Sequence, residues 1–251
     1  MSYKFLKYKL SNLFQYFITS KLLYVLIVKK FIKDDFIKLK QGYISVFHRS
    51  HFVKSLLFFG FYERKEQQVI ANYLLKDNTI VELGASIGFI TSLLCRMTNK
   101  SVYAVEANPL LQNNLELTKQ KNNFSSLTII SSAISYTSSD FINFSIDENN
   151  LGSKVAPIGE EVRTLTLHSL LSSYQINDYV LVADIEGAEL ELFLLETHHE
   201  VIRNCKQIII ELHDAEYNGV KYSKTDIAEL IQQNFKMKYI FHYSDIWVFS
   251  R

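Results

Sequence analysis

The segment TIVELGASIG, residues 79–88, decides the fold of this chain. Its first five residues are rich in β-branched and aliphatic side chains, which predicts a strand. Gly84 lets the chain turn out of that strand without a Cβ clash, and Ser86 is the expected N-cap of a helix over residues 86–98. Gly88 allows this helix to pack close to the strand. A strand, a glycine turn and a helix in this order predict one unit of an open α/β sheet.

The same alternation of strands and helices continues through the chain. Further strands are predicted over residues 101–106, 127–132, 179–185 and 207–212, and further helices over residues 110–121, 165–174, 188–195 and 223–235. Apolar strands that alternate with helices are typical of a parallel sheet with helices on both faces. Residues 237–241 and 246–249 predict an antiparallel hairpin at one edge of this sheet. The polar residues 136–164 predict an inserted, lid-like loop.

The composition excludes several classes of protein. Of the 251 residues, 48% are hydrophobic and 21% are charged, which supports a sizeable core and excludes wholesale disorder. The two cysteines, Cys95 and Cys205, are too few for a disulfide scaffold and are not spaced as metal ligands. We therefore expect a cytoplasmic protein. The formal net charge of +1 argues against a nucleic-acid partner.

The near-zero net charge hides two unequal parts. Residues 1–40 contain nine lysines and two aspartates, a net charge of +7, so residues 41–251 carry −6. Apolar side chains recur in the basic part at helical spacing, at Leu6, Leu10, Leu13, Phe14 and Phe17. We predict a basic helical appendage over residues 1–60, followed by a catalytic domain over residues 61–251.

Two interpretations of the basic part stay open. Its helices could pack on the main domain with their lysines in solvent. Alternatively, residues 1–40 could contact the inner face of a membrane peripherally, as basic amphipathic segments do. The longest apolar run, residues 22–28, is too short to span a membrane.

In an open α/β sheet, ligands bind beyond the carboxyl ends of the strands. The turn after the first strand lacks the middle glycine of a dinucleotide-binding G-x-G-x-x-G and the G-K-[ST] of a phosphate-binding loop. A ligand with an adenosine but no phosphate fits this turn, and S-adenosylmethionine (SAM) is such a ligand. Glu82 suits its cationic methionyl end, and Glu106, ending the second strand, suits its ribose hydroxyls. Ser132 and Ala133, after the third strand, leave room for the adenine.

The fourth and fifth strands supply acid–base groups. The fourth ends in DIEGAE, residues 184–189, where three carboxylates cluster beside a glycine turn. The fifth ends in ELHD, residues 211–214, and alternation places its glutamate and histidine on one face. We predict that the proton acceptor is Asp184, Glu189 or His213. The predicted cofactor contacts are Glu82, Gly84, Ala85, Ser86, Gly88, Glu106, Ala107, Asn108, Ser132, Ala133 and Asp184.

These motifs resemble those of the FkbM family of SAM-dependent methyltransferases. That family carries D-x-G-A-x-x-G after its first strand, E-P-x-P after its second, D-x-E-G-x-E at its fourth and E-x-H at its fifth. The matching residues here are 82–88, 106–109, 184–189 and 211–213, and the pair Tyr62-Glu63 is similar to the family's lead-in. The resemblance covers residues 60–250. It implies an α/β, Rossmann-like class I methyltransferase sheet.

The resemblance also implies an activity, namely methyl transfer from SAM to a hydroxyl of a small molecule, sugar or glycan. The chain departs from the family pattern at three positions. Glu82 stands where Asp is usual, Ser86 where Asn is common, and Ala107 where Pro is usual. The first departure implies that the methionyl end of the cofactor is reached differently.

Three alternatives stay open. An NAD-linked oxidoreductase would need the third glycine that the turn lacks. A metal-assisted enzyme would use Asp184, Glu186, Glu189 and His213, although we predict no resident metal. A SAM-binding scaffold without turnover would keep the cofactor site and dock on a membrane through its basic part. The acceptor and the oligomeric state are not predicted.

Overall fold

The computed structural model describes residues 17–145, 154–155 and 158–251. Two features singled out in the sequence lie outside these residues. They are the apolar positions 6, 10, 13 and 14 of the basic part, and residues 146–153 and 156–157 of the predicted loop.

Helices and strands alternate through the described residues. The helices are α1 (Lys21–Leu26), α2 (His51–Phe58), α3 (Arg64–Tyr73), α4 (Phe89–Met97), α5 (Pro109–Asn122), α6 (Leu167–Ser173), α7 (Glu189–Leu195), α8 (His199–Asn204) and α9 (Lys224–Asn234), with a short 3₁₀ helix over Val28–Phe31. The strands are β1 (Phe36–Leu39), β2 (Gly42–Ser45), β3 (Thr79–Leu83), β4 (Val102–Glu106), β5 (Leu127–Ser131), β6 (Ala133–Ile134), β7 (Phe141–Ser145), β8 (Lys154–Val155), β9 (Glu160–Leu165), β10 (Tyr179–Ala183), β11 (Cys205–Glu211), β12 (Ala215–Tyr217), β13 (Val220–Tyr222), β14 (Lys238–Tyr243) and β15 (Ile246–Ser250). Among the described residues, no helix has the length and apolar character needed to cross a membrane.

Seven strands form the central sheet, in the order β5-β4-β3-β10-β11-β15-β14. Neighbouring strands from β5 to β11 are parallel, and β15 runs antiparallel to both β11 and β14. The predicted α/β fold, with its mainly parallel sheet and its antiparallel edge hairpin, is therefore confirmed. The strand order reverses between β3 and β10, which is where an open α/β sheet forms its ligand crevice.

Alternate residues of the central strands face two different cores. Ile80 and Val182 face one side of the sheet, where they join buried side chains of α2, α3, α4 and α5. Val81 and Leu181 face the other side, with α6, α7, α8 and α9. Helices therefore cover both faces, as the uninterrupted apolar strands predict.

The segment before residue 60 is not helical throughout. It contains the antiparallel hairpin β1–β2, whose Ile37 and Ile44 are buried in the same core as the central sheet. Buried Asn114 of α5 donates hydrogen bonds to the carbonyl oxygens of Ser45 and Phe47. This part of the chain is therefore packed into the main core. The domain division at residue 60 stays a prediction.

The predicted loop over residues 136–164 contains strands, and to this extent the sequence prediction is wrong. Strands β7, β8 and β9 join β6 in a small four-stranded sheet. Strand β7 buries only Phe144, and strand β9 buries only Val162. One buried side chain per strand leaves no apolar run for the sequence to reveal.

Gly84 is required at the point where β3 meets β10. Its φ is +87°, and a Cβ built there would lie 1.8 Å from the backbone oxygen of Asp184. The amide of Asp184 in turn donates to the carbonyl oxygen of Leu83, at 2.9 Å. No side chain fits between these two strand ends.

We predict that Gly84→Ala lowers the free energy of unfolding by about 3 kcal/mol or more, because backbone overlap adds to the strain of a positive φ. Urea denaturation measures this loss. Gly60→Ala is the matched control, since Gly60 has a φ of +70° but nothing within 4 Å of its Cβ position. The control should lose only about 1–2 kcal/mol. Equal losses in the two variants would contradict the close approach.

Candidate active site

A cavity of about 620 Å³ opens at the carboxyl ends of β3, β4, β10 and β11. Ten of the eleven predicted cofactor contacts line it. The exception is Gly88, whose Cβ position lies 3.0 Å from Leu115 of α5. Gly88 therefore permits close packing between α4 and α5. Of the three predicted proton acceptors, only Asp184 lines the cavity.

Glu106 is held in place by the backbone. Its Oε2 accepts a hydrogen bond from the amide of Ser86 at 2.7 Å, and its Oε1 accepts one from the amide of Asn108 at 2.6 Å. Burial raises the pKa of the Glu106 carboxyl, while these backbone N–H groups act in the opposite direction. The carboxylate thus joins the turns that follow β3 and β4, and it borders the cavity between them.

Ser86 is not the N-cap of α4, which corrects the sequence prediction. Gly88 occupies the N-cap position with a φ of +84°, and the helix begins at Phe89. The backbone of Ser86 has a φ of +49°, and its hydroxyl lies 3.1 Å from the hydroxyl of Tyr62. The turn is longer than expected because the Ser86 amide first closes on Glu106.

The Glu82 carboxyl is buried, and one of its oxygens has no hydrogen-bond partner among the described residues. The residue is 2% accessible, and its Oε2 has no hydrogen-bond partner among the described residues. Burial raises the pKa of the Glu82 carboxyl to about 8, and the nearby Glu106 adds to this increase. An unpartnered buried carboxylate favours a ligand that brings a positive charge or a donor.

The cavity has an apolar wall next to the end of β5. Ser132 and Ala133 line it as predicted, and Ile134 continues the same edge. Ile142 and Phe144 of β7 complete the wall. These two side chains belong to the segment that the sequence suggested was a loop. Small residues beside an apolar wall suit a flat ring such as adenine.

Glu189 lies behind the cavity and organises the turn that follows β10. It is fully buried, with 0% accessibility. Its Oε1 accepts from the amide of Ile185 at 2.9 Å, and its Oε2 accepts from the amide of Gly187 at 2.8 Å. Its Oε1 also lies 3.2 Å from Nδ1 of His213. Glu189 therefore positions the turn and the imidazole.

Asp184 and His213 form an acid–base group beside the cavity. Burial, with the nearby Glu211 and Glu186, raises the pKa of the Asp184 carboxyl to about 7. The hydrogen bond with Glu189 raises the pKa of the His213 imidazole to about 9. At neutral pH the imidazole is therefore protonated, and the aspartate titrates.

The four residues of the metal-assisted alternative are only partly brought together. Asp184, Glu186 and His213 each offer one ligand atom, and these atoms lie within 4.8 Å of one another. Both oxygens of Glu189 accept backbone hydrogen bonds instead. A metal-bound imidazole must be deprotonated. A bound metal would compete with the proton that the hydrogen bond with Glu189 favours on His213, and the metal-assisted alternative stays open.

The side chains of the cavity wall that can carry a full charge at neutral pH are all acidic among the described residues. Ten carboxylate side chains line the cavity, and no Lys, Arg or His side chain does so among the described residues. The ten are Glu63, Glu66, Glu82, Glu106, Asp184, Glu186, Glu191, Glu211, Asp214 and Glu216. An uncompensated set of this kind favours a cationic ligand.

Sequence reasoning missed part of this wall. Glu66 of α3 was not singled out, yet it is 6% accessible and lines the cavity. Burial raises the pKa of its carboxyl, and the nearby Glu63 and Asp184 add to this increase. The pair Tyr62-Glu63 was the available signal. It marked the start of α3, from which Glu66 follows one helical turn later.

A protein-family model matches more than half of this chain. The model described as "Methyltransferase FkbM domain" matches residues 82–241. None of the curated proteins matches this chain.

Several solved structures are similar to this chain at low identity. A protein of the NADB-Rossmann superfamily from Streptococcus agalactiae is 12% identical, with 74% of this chain and 68% of that chain covered and a TM-score of 0.46. A TehB-like SAM-dependent methyltransferase from Corynebacterium glutamicum is 12% identical, with 79% of this chain and 94% of that chain covered and a TM-score of 0.43. A SAM-dependent methyltransferase from Aquifex aeolicus is 13% identical, with 75% of this chain and 91% of that chain covered and a TM-score of 0.39.

We predict that Glu82→Gln makes the ligand-free protein more stable at high pH. The unfolded carboxyl releases its proton near pH 4.5, and the folded one near pH 8, so wild-type stability falls as the pH rises between these values. The variant does not ionise and escapes this loss. Urea denaturation should give equal stabilities at pH 4 and a gain on the order of a few kcal/mol at pH 8. The exposed Glu229→Gln control should show no such gain. If the difference in free energy of unfolding between Glu82→Gln and the wild type were the same at pH 4 and pH 8, the raised pKa of Glu82 would be contradicted.

Proposed function

The chain belongs to the FkbM methyltransferase family and is a methyltransferase, and from this premise we propose that it transfers the methyl group of SAM to a hydroxyl of a sugar or glycan. One observation carries the choice of cofactor. Among the described residues, the cavity at the strand ends is lined by ten Asp and Glu side chains and by no Lys, Arg or His side chain. SAM is cationic at its sulfonium and at its amino group, so both charges find partners there.

Residues at the ends of three neighbouring strands would hold the cofactor in this proposal. Gly84, Ala85 and Glu82 line the cavity, and there they would hold its methionyl part. Glu106, fixed by two amides, accepts from the ribose hydroxyls through its remaining lone pairs. Ser132 and Ala133 flank the adenine. Glycine and alanine at the turn keep side chains out of the space that the cofactor needs.

Methyl transfer is an in-line displacement at the methyl carbon. The acceptor oxygen forms a bond to this carbon as the carbon–sulfur bond breaks, and the electron pair stays on the sulfur. The acceptor hydroxyl loses its proton to a base of the protein. Alignment of oxygen, carbon and sulfur lowers the barrier by several kcal/mol, on the order seen for oriented reactants.

His213 and Asp184 are the candidate proton acceptors, and Glu189 orients the imidazole. The buried Glu189 carboxylate fixes Nδ1 of His213, which leaves Nε2 to face the side of Glu186, at 3.7 Å from its Oε2. A carboxylate that orients an imidazole in this way is typical of general-base catalysis. It supports His213 as the acceptor when its imidazole is neutral.

The direct test of the function is product formation. Purified protein is incubated with SAM and a panel of neutral sugars, glycosides and oligosaccharides, and mass spectrometry follows a gain of one methyl group per acceptor. Formation of S-adenosylhomocysteine together with a methyl ether supports the proposal. Binding of SAM without any methylated product across the panel would favour the scaffold alternative.

We predict that Glu106→Ala weakens SAM binding by about 10- to 100-fold, since a hydrogen-bonded charged group contributes on this order. Isothermal titration calorimetry measures the dissociation constant. The exposed Glu229→Gln variant of α9 is the control and should bind SAM as the wild type does. Unchanged affinity in Glu106→Ala would overturn the assignment of the ribose site.

The pH dependence of kcat/KM distinguishes the two proton acceptors. If His213 accepts the proton, the rate rises towards a plateau above about pH 9, because only the neutral imidazole accepts. Glu189→Gln should move this rise to lower pH, since the group that raises the pKa is removed. A rise near pH 7 that persists in His213→Asn would assign the proton to Asp184 instead. The profile is measured with the acceptor found in the product assay.

A further inference from the structure

A contiguous stretch near the start of the described residues exposes large apolar side chains. The described residues include sixteen large apolar side chains that are exposed, and six of these lie within residues 17–31. They are Phe17, Leu22, Val25, Leu26, Ile27 and Phe31. Single exposed apolar residues are ordinary on protein surfaces, whereas a contiguous group marks an interaction site.

The exposed side chains of α1 share one face. Leu22, Val25 and Leu26 follow each other at helical spacing of three and four, with accessibilities of 71%, 50% and 53%. Tyr24 of the same helix instead lies beside His51 of α2, with ring centroids 6.0 Å apart. Helix α1 is therefore held on α2 by one side and presents its apolar side outwards.

Lysines surround this apolar face. Lys21, Lys29, Lys30 and Lys33 are all exposed, and residues 17–33 contain no acidic side chain. We call residues 17–33 the docking face. It combines apolar protrusions with four positive charges, whereas residues 41–251 carry a net charge of −6.

We propose that the docking face binds peripherally to an anionic membrane surface. Its apolar side chains enter the boundary between headgroups and acyl chains, and its lysines contact the lipid phosphates. The helix is too short to cross the membrane. The proposal is independent of the methyl acceptor, because it uses none of the residues of the cavity.

Charge complementarity selects this occupant over a second copy of the chain. Pairing two docking faces would bring eight lysines together without an acidic partner on either face, which like-charge repulsion disfavours. An anionic lipid surface offers the opposite sign over the whole area. It also accepts apolar side chains without requiring a shaped groove.

Vesicle co-sedimentation of the full chain tests the proposal. The probes are vesicles of phosphatidylcholine alone and vesicles with equal amounts of phosphatidylcholine and phosphatidylglycerol. The wild type should bind only the anionic vesicles, and binding should weaken as the salt concentration rises. We predict that Lys29→Glu/Lys30→Glu and Leu22→Ser/Leu26→Ser each lower the partition constant at least about tenfold.

Matched variants elsewhere on the surface control for charge and for apolar area. Lys76→Glu/Lys100→Glu removes two exposed lysines, and Leu110→Ser/Val220→Ser removes two apolar side chains that are 56% and 54% accessible. Both controls should bind the anionic vesicles as the wild type does. Thermal unfolding and the affinity for SAM should be unchanged in all four variants, since none of these substitutions enters the proposed cofactor contacts.

Three outcomes would overturn the proposal. The first is wild-type binding that does not distinguish the two kinds of vesicle. The second is an equal loss of binding in the docking-face variants and their controls. The third is a dimer in light scattering that becomes monomeric only in Leu22→Ser/Leu26→Ser, which would assign the face to a second copy. Failure of methyl transfer in the product assay would leave these measurements unaffected.

Discussion

The contact between the ends of β3 and β10 fixes the geometry of the whole crevice. The Gly84 backbone lies against the carbonyl oxygen of Asp184, closer than any side chain would allow. The amide of Gly84 also donates to the carbonyl oxygen of Val105, so the ends of β3, β4 and β10 are joined. Glu82, Glu106 and Asp184 reach one cavity because their strands are joined there. The fold thus brings these acids together as a consequence of strand register.

The acids differ in how the protein compensates their burial. Two backbone amides offset the burial of Glu106, whereas Oε2 of Glu82 receives no such bond among the described residues. A buried group without a partner lowers the stability of the ligand-free state. A ligand that supplies the partner recovers that free energy on binding. The ligand-free protein is therefore less stable than it would be if Oε2 of Glu82 had a hydrogen-bond partner.

Sequence patterns predicted the backbone of the site better than its side-chain roles. Glycine turns and strand-end acids are local features, so the positions of Gly84 and Glu106 at the strand ends could be predicted from spacing alone. The role of Glu189 depends on three-dimensional closure, because its oxygens bind the amides of its own turn. Ser86 was misassigned as a cap for the same reason, since its amide binds a carboxylate twenty residues away. Strand β7 was not predicted, because a surface strand with one buried residue shows no periodic pattern of apolar side chains.

The packing of the N-terminal segment bears on how a docked protein would be oriented. A flexible basic arm would hold the enzyme near a membrane without fixing its direction. Here α1 packs on α2, and Leu56 of α2 lies in the main core and also lines the cavity. The docking face and the cavity are thus joined through one packed helix. Docking through residues 17–33 would therefore hold the cavity in a defined orientation relative to the membrane, which a loosely attached arm could not do.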